Sequence, residues 1–404
     1  MEFTNNNLLP YINKNVFPFL DTYISKFSSW IINVNRTQLA SIVGTFFVCY
    51  LATVRHYRYQ YINELRRKYP DPNIALKNSQ VAAEVFDITF RREFPALHHH
   101  GFELALLRSV TIPSISKLLI ATGEAFHRPQ KREEDSYLIL HEMLDVHPHV
   151  EFLREKNPKM TQNEVALQTF RRDHSIARLN EIHARYPTIK HGDFLFQLVL
   201  FVNEPIFWIN KFGYRKLDQL EINALYKMWS DIAKEMNLTD VPQSAEEMIE
   251  YTKKYSEEFA KFHVACQKIS DRNINNVVSH NAPSWLHDFV RKTYSCRLTP
   301  TDCAATGLPQ APQWMQAIYN SYWYIHGFYI RYFAFPAKHS YLGTAILPTE
   351  DNVLMPQYYE KGHSHPTYPN GYTFTELGPA KIKSNLCPMP HMRASTCPVA
   401  HHVD

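Results

Sequence analysis

The stretch GDFLFQLVLFVNEPIFWINKFG, residues 192–213, is apolar on nearly every side when it is wound as a helix. A helix that is hydrophobic all round has to be covered by neighbouring elements, as at the centre of a bundle. The stretch therefore predicts a buried central helix, and the rest of the chain has to supply the helices that cover it.

The segments around this stretch have the 3.6-residue period of amphipathic helices. Examples are residues 79–94, residues 111–126, which begin near a proline, and residues 161–186, which open with a capping box of Thr161 and Glu164. Only 11 glycines occur in 404 residues, too few for the many tight turns of a β-barrel or sandwich. The chain is therefore predicted to be all-α.

Residues 37–54, TQLASIVGTFFVCYLATV, form an uncharged run of 18 residues, which reaches the lower end of the length that crosses a bilayer. A buried core helix is the alternative. Aromatic residues before and after the run favour a membrane helix, because they resemble an interfacial belt. Basic residues are fewer upstream (Lys26, Arg36) than downstream (Arg55, Arg58, Arg66, Arg67, Lys68). The positive-inside rule then predicts a lumenal segment 1–36, a transmembrane helix 37–54 and a basic cytosolic linker 55–76.

Beyond the linker, residues 77–297 read as a helical core. Residues 300–314, PTDCAATGLPQAPQW, read as a loop. The region 298–340 also contains an aromatic-rich helix at 315–335, which we expect to pack on the core or to lie in the membrane interface. Prolines then dominate residues 341–404, which predicts an irregular, partly ordered C-terminal tail.

The composition excludes several classes of protein. A net charge of +4, dispersed along the chain, does not indicate a nucleic-acid partner. Six scattered cysteines do not form a disulfide framework. The dinucleotide, Walker and zincin motifs are absent. One helical Glu-x-x-His motif, Glu124–His127, and a second in the tail, Glu360–His363, are too short to identify a di-iron bundle.

Two histidine patterns are possible ligands. His98–His100 are three consecutive histidines, and on a helix they would point about 100° apart, so a polar turn between helices is the expectation. His183 lies on the face of the 161–186 helix that also carries Ile176 and Leu179, next to the apolar stretch 192–213. It is either a core histidine or an axial ligand of haem, which needs a wide apolar slot and one imidazole.

Longer motifs add a family resemblance. IARLNEIHARY (176–186) and the stretch that begins at FLFQLVLF (194–201) are followed, late in the chain, by YPNGYTFTELGP (368–379). Together with ALLRSVTIPSISKLLIATGEAF (105–126), they resemble the rubber oxygenase and latex-clearing protein family, in its branch of MpaB-like oxygenases bound to the endoplasmic reticulum. The resemblance covers nearly the whole chain.

The resemblance implies an all-α fold with a globin-like core that binds haem b, with His183 as the iron ligand and Thr122 near the haem. Within residues 105–126, Lys117 and Arg108 are the only cations; Arg108 is a candidate catalytic residue near the haem or its propionates, and the alternative is a surface arginine. It also implies an enzyme that uses O₂ to cleave a carbon–carbon double bond in a prenylated or terpenoid secondary metabolite. Its expected location is the endoplasmic reticulum membrane, crossed once, with the body in the cytosol. In the latex-clearing branch basic residues accompany the threonine, whereas Leu118 and Ala121 occupy the nearby turn here, which leaves the distal acid or base unassigned.

Two other functions stay open at this point: a non-haem iron oxygenase, and a membrane-tethered haem-binding protein without activity. The tail also contains two Cys-Pro-x-x-His units, Cys387–His391 and Cys397–His401. Their spacing does not match zinc fingers or knuckles, so the tail predicts family membership rather than a metal site.

Overall fold

The computed structural model describes residues 35–157, 159–361 and 366–386. The chain divides into two compact units, Met1–Tyr57 and Arg58–Asp404. The described part contains helices and irregular segments but no strand, only isolated bridges such as Leu354 with Tyr372. The predicted all-α class is confirmed.

In the first unit, the described residues are Asn35 and helix α1 (Arg36–Arg58), whose last residue is the first of the second unit. Its apolar side chains are strongly exposed, with Phe46 at 73% and Val48 at 64%. By length and composition, Arg36–Lys68 can cross a membrane, and 6% of its most apolar 18-residue stretch is buried. The predicted N-terminal apolar helix is therefore present, and the predicted segment 1–36 lies almost wholly outside the described residues.

The second unit is a helical bundle. Its α-helices, in chain order, are α2 (Gln60–Lys68), α3 (Ile74–Lys77), α4 (Ser79–Phe86), α5 (Pro95–Ser109), α6 (Pro113–Thr122), α7 (Glu124–His127), α8 (Pro129–Leu144), α9 (Val146–Lys156), α10 (Gln162–Ala184), α11 (His191–Phe212), α12 (Gln219–Glu235), α13 (Ala245–Phe259), α14 (Val264–Asn281), α15 (His287–Thr293), α16 (Pro300–Thr306) and α17 (Gln313–Tyr332). A π-helical segment, Asp87–Glu93, follows α4 and shortens the helix predicted at 79–94.

Helix α11 is the predicted central helix, and it is buried along nearly its whole length. It is long and apolar enough to span a membrane, but 78% of its most apolar 18-residue stretch is buried. The bent pair α5 and α6, at 91°, also passes that test if it is counted as one span. Helix α5 packs on α11 where Pro205 interrupts the latter, and a Cβ on Gly101 would lie 2.7 Å from the Pro205 nitrogen. Only glycine permits this approach.

The expectation of a polar turn at His98–His100 is wrong. Pro95 begins α5, and the three histidines continue that helix. His98 packs against the rings of Phe86 and Phe90, and His100 accepts or donates a hydrogen bond of 2.9 Å with the Tyr319 hydroxyl. Burial lowers the pKa of His100 to about 3, so it is a neutral core residue.

Two further segments differ from the sequence expectation. The loop predicted at 300–314 contains α16, which opens with a capping box of Thr299 and Asp302. The C-terminal segment 341–386 is irregular, as expected, but it packs tightly on the helices: Leu354, Tyr372 and Leu377 are fully buried. The tail cysteines and their histidines lie outside the described residues.

Candidate functional site

A cavity of about 630 Å³ lies between helices α5, α6, α8, α10, α11 and α12. Its walls are mainly apolar, with side chains such as Leu118, Leu179, Phe194, Leu198, Phe201 and Trp229. Cavities of a few hundred to about 1,000 Å³ that combine apolar walls with a few polar groups are typical of small-molecule and cofactor sites. This cavity is therefore the candidate site.

His183 lines the cavity from the last turn of α10. The chain turns sharply after this helix, with the Tyr186 nitrogen donating to the His183 carbonyl at 2.9 Å, and α11 begins at His191. The turn places α10 beside the start of α11, so that the ring of Phe194 meets the His183 imidazole edge-on at 4.9 Å between centroids.

The imidazole of His183 is set up as a neutral ligand. Its Nδ1 is buried and has no hydrogen-bond partner in the described part of the chain. Its Nε2 makes no hydrogen bond with those residues either, but unlike Nδ1 it is not fully buried. Burial lowers the pKa of His183 to about 4, so the ring is neutral near pH 7, which is the form that binds a metal ion.

Thr122 reaches the same cavity from the end of α6. Gly123, with φ of +76°, ends that helix in the left-handed conformation, which costs glycine little. The Thr122 hydroxyl donates to the Leu119 carbonyl at 2.8 Å. Its proton is thus engaged by the backbone, and the oxygen lone pairs are what the hydroxyl can offer to a ligand.

Arg108 is not among the residues that line the cavity. Its guanidinium pairs with Glu204 of α11 and with Asp302 of α16, the latter at 2.9 Å. Burial alone would lower the pKa of Arg108, but the attraction of the two carboxylates raises it above its ordinary value. The structure therefore brings Thr122 and His183 to one cavity and places Arg108 in an ion-pair cluster that ties three helices together.

Arg132 on α8 lines the cavity and was not identified from the sequence. It is half-buried and forms no ion pair or side-chain hydrogen bond with the residues that the structure describes. Three carboxylates attract it from a longer distance: Glu133, and Asp135 and Glu124 of the cavity wall. Burial lowers its pKa below the ordinary value of 12.5. A signal was present in the sequence: Arg132 lies in register with Ser136, Ile139 and Met143, on the face of α8 that turns inward.

Two more polar atoms near His183 are unsatisfied. The Tyr186 hydroxyl and the Gln197 amide nitrogen belong to cavity-lining residues, and both are buried without a partner in residues 35–157, 159–361 and 366–386. A buried polar atom without a hydrogen bond costs about 1–3 kcal/mol. Together with His183, whose Nδ1 is in the same state, three residues of the cavity wall carry a buried polar atom without a partner in the described residues.

The C-terminal segment closes part of the cavity wall. Arg178 of α10 donates from Nε to the Leu377 carbonyl and from Nη2 to the Ile382 carbonyl, both at 2.8 Å. Between these contacts, Gly378 and Pro379 line the cavity. A Cβ on Gly378 would lie 2.4 Å from Cδ1 of Ile182, the residue before His183.

No group of three or more His, Cys, Asp or Glu side chains that could hold a metal ion occurs within the described ranges. A multi-ligand iron site therefore has no ligand set there. A single histidine on the wall of an apolar cavity fits a porphyrin instead, since a macrocycle that brings its own metal ligands would need one imidazole from the protein.

The chain matches no protein-family model. It is 26% identical over 330 residues to the ER-bound oxygenase mpaB of Penicillium brevicompactum, a match that covers 74% of this chain and 79% of that protein. It is 27% identical over 214 residues to the ER-bound oxygenase mpaB' of the same organism, covering 51% of this chain and 46% of the relative. For the ER-bound oxygenase mpaB of Penicillium roqueforti (strain FM164), 27% identity extends over 48% of this chain and 61% of the relative. The chain thus spans about half the length of one of these relatives, and the MpaB-like resemblance is confirmed.

Proposed function

We propose that this chain is a membrane-bound, haem-dependent oxygenase that cleaves a carbon–carbon double bond of a prenylated or terpenoid compound with O₂. The observation that carries the proposal is the His183 imidazole, neutral and without a hydrogen bond to the described residues, on the wall of an apolar cavity of about 630 Å³. The names of the three similar proteins, all ER-bound oxygenases, support the same class of enzyme.

His183 is the residue proposed to hold haem b, by its accessible ring nitrogen. Haem supplies the chemistry of O₂ activation when it is bound, and the protein supplies orientation and a dry environment. Arg132 and Lys117 are the cations on the cavity wall, and they are suited to the two propionate carboxylates because such charge-assisted contacts are strong. Thr122 offers hydroxyl lone pairs to the same cavity, from the end of α6.

The apolar walls also suit the proposed substrate. An isoprenoid chain has no hydrogen-bonding groups along its length, so its binding depends on the apolar area that it buries, at about 25 cal/mol per Å². Leu118, Phe201 and Trp229 provide such area. Exclusion of water by these walls would protect the reactive oxygen species from side reactions.

The exposed apolar helix α1 supports a membrane location for this activity. A hydrophobic substrate partitions into a bilayer, so an enzyme that is tethered there meets it at high local concentration. The excess of basic residues after the apolar run supports a single crossing of the endoplasmic reticulum membrane with the body in the cytosol.

An absorption spectrum of the purified full chain tests the proposal. We expect a Soret band in the native protein and its loss in His183→Ala. His174→Ala is the matched control: His174 is on the same helix, stacked on Phe170, and does not line the cavity. Iron without a Soret band would point instead to a non-haem oxygenase and overturn the haem assignment.

The reaction itself is tested by incubation with prenylated compounds under ¹⁸O₂. We expect labelled aldehyde or ketone products from the native protein and none from His183→Ala. A haem-loaded protein that forms no such product from any prenylated compound would contradict the enzymatic proposal and leave a haem-binding protein without activity.

A further inference from the structure

A second pocket, of about 290 Å³, lies away from the cavity, where the start of α5, the end of α11 and helix α17 meet. It is lined by two arginines, Arg58 and Arg92, by His326, and by aromatic side chains that include Phe94 and Phe335. Neither the oxygenase chemistry nor the haem assignment uses any of these residues. All of them lie in the second unit of the chain.

The pocket is built to receive a negative charge. Arg58 is 3% exposed, its Nε is buried without a partner in the described residues, and it forms no ion pair with them. One of its terminal nitrogens, Nη2, donates to the Ala334 carbonyl at 2.5 Å. A buried guanidinium without a carboxylate is costly, so an anion brought into the pocket would relieve that cost.

Three other groups line the pocket: a second cation, a histidine and a helix N-terminus. Arg92 donates from Nε to the Ser340 hydroxyl at 3.3 Å and has no ion-pair partner among the described residues. His326 has a buried Nδ1 with no partner in the same ranges. Residues 95–97, the first turn of the 15-residue helix α5, also line the pocket, and that helix has no side-chain cap. Pro95 has no N–H, so Ala96 and Leu97 supply the free N–H groups of this turn. A helix N-terminus presents free N–H groups and a partial positive charge, which attract anions.

The one carboxylate in the pocket wall is already neutralised. Glu93 accepts a hydrogen bond from the Tyr214 hydroxyl at 2.6 Å through Oε1, and its Oε2 pairs with Arg215. Glu93 attracts Arg58 from a distance but forms no ion pair with it or with Arg92, so neither arginine has a carboxylate partner among the described residues.

The surface beside the pocket is apolar. Helix α17 lines the pocket with His326, Gly327 and Ile330. Its outward face exposes a stripe at helical spacing: Trp314, Ile318, Tyr322, Ile325 and Tyr329, each more than half exposed. Phe335, which is 49% exposed, lies on the pocket wall and extends the apolar surface to its mouth.

We propose that this pocket binds the phosphate group of a membrane phospholipid, whose acyl chains lie along the exposed stripe of α17. Arg58 and Arg92 contact the phosphate oxygens, and the backbone N–H groups of Ala96 and Leu97 at the start of α5 add donors to them. Free phosphate would fill the pocket but leave the stripe uncovered, whereas a phospholipid covers both. A bilayer is at hand because Arg58 is the last residue of the apolar helix α1.

The occupant follows from the composition of the stripe. Trp and Tyr are the residues that concentrate at membrane interfaces, and basic pockets next to membrane helices bind lipid head groups. The Lys211 ammonium lies over the rings of Phe207 and Phe212 at the end of α11, so a further cation stands among aromatic side chains on this side of the body.

The test is the amount of phospholipid that stays bound when the full chain is purified in detergent, measured by native mass spectrometry and phosphorus content. We expect close to one phospholipid per native chain, and about tenfold weaker retention in Arg92→Gln and in Arg58→Gln, since a hydrogen bond to a charged group is lost in each. Arg67→Gln is the matched control, because Arg67 belongs to the same basic region but does not line the pocket.

Each alternative outcome counts against the proposal. Equal retention in all variants would overturn it, as would equal loss in Arg67→Gln, which would indicate general attraction to basic residues. Binding of inorganic phosphate without retained phospholipid would overturn the lipid assignment. Arg58 is buried, so its replacement can impair folding. Arg92 is only half-buried, so phospholipid retention by an Arg92→Gln protein with an unchanged melting temperature is the decisive measurement.

Discussion

The Lys381 ammonium donates a hydrogen bond of 2.9 Å to the carbonyl oxygen of Thr122, although the two residues are 259 positions apart. The contact joins the C-terminal segment to the helix end that carries a predicted haem-site residue. With Gly378 and Pro379 on the cavity wall, it makes the C-terminal segment part of the site rather than an appendage.

Gly378→Ala tests this role of the C-terminal segment. Gly378 has φ of +92°, and the added Cβ would lie 2.4 Å from Cδ1 of Ile182. We expect a loss of about 1–3 kcal/mol in the free energy of unfolding and a lower haem content, measured by thermal unfolding and by absorbance. Ala380→Ser, an exposed change two residues later, should alter neither. A Gly378→Ala protein with native stability would contradict the packing of Gly378 on α10.

Arg108→Ala separates a structural role from a catalytic one. The substitution would leave Glu204 and Asp302 buried without their cation, and loss of one partner of a buried pair costs about 3–5 kcal/mol. We therefore expect a large fall in melting temperature in the apo-protein as well as in the haem-loaded protein. If the melting temperature stayed native and only turnover fell, Arg108 would act in the reaction, as expected from the sequence.

Helices that are determined by residues close together in the chain could be predicted from the sequence. The continuous apolar face of α11, the capping box at Thr161 and the proline at the start of α6 are all local signals, and each helix is present. The same reasoning selected His183 as a residue that faces the bundle interior, and it lines the cavity. Its role as a haem ligand remains a prediction.

The features that the sequence did not reveal depend on contacts between distant residues. Arg178 donates a hydrogen bond to the Leu377 carbonyl, 199 positions away, and no periodic pattern in the C-terminal segment predicts that contact. The three polar histidines of α5 resembled a turn because their partners, such as Trp208 and Tyr319, belong to α11 and α17. Arg108 resembled a site residue because its carboxylate partners, Glu204 and Asp302, lie far along the chain.

Arg132→Gln tests the cation that the structure adds to the site. Arg132 lines the cavity, is half-buried and has no ion-pair partner in the described residues. If it binds a propionate, its loss should weaken haem binding about tenfold, because a charge-assisted hydrogen bond is worth about 1.5–3 kcal/mol. Haem titration with Soret absorbance measures the effect. Arg128→Gln is the control, since Arg128 is exposed at the start of the same helix; equal affinities in both variants would remove Arg132 from the site.

The buried histidines predict how stability depends on pH. Burial lowers the pKa of His100 to about 3 and that of His149 to about 4, against about 6.5 in the unfolded chain. The unfolded state therefore binds more protons below pH 6.5, and the free energy of unfolding falls as the pH falls from 6.5 towards 4. Each such histidine contributes up to about 1.4 kcal/mol per pH unit.

Denaturant unfolding of the full chain in detergent, repeated between pH 4 and 8, measures this slope. His100→Gln keeps an acceptor for the Tyr319 hydroxyl and removes the titrating ring, so the slope between pH 4 and 6.5 should become shallower by the share of one histidine. His127→Gln, at an exposed position, is the matched control and should leave the slope unchanged. A slope that is the same in both variants would mean that His100 takes up its proton as readily in the folded protein as in the unfolded chain, which its burial between Trp208 and Trp323 should prevent.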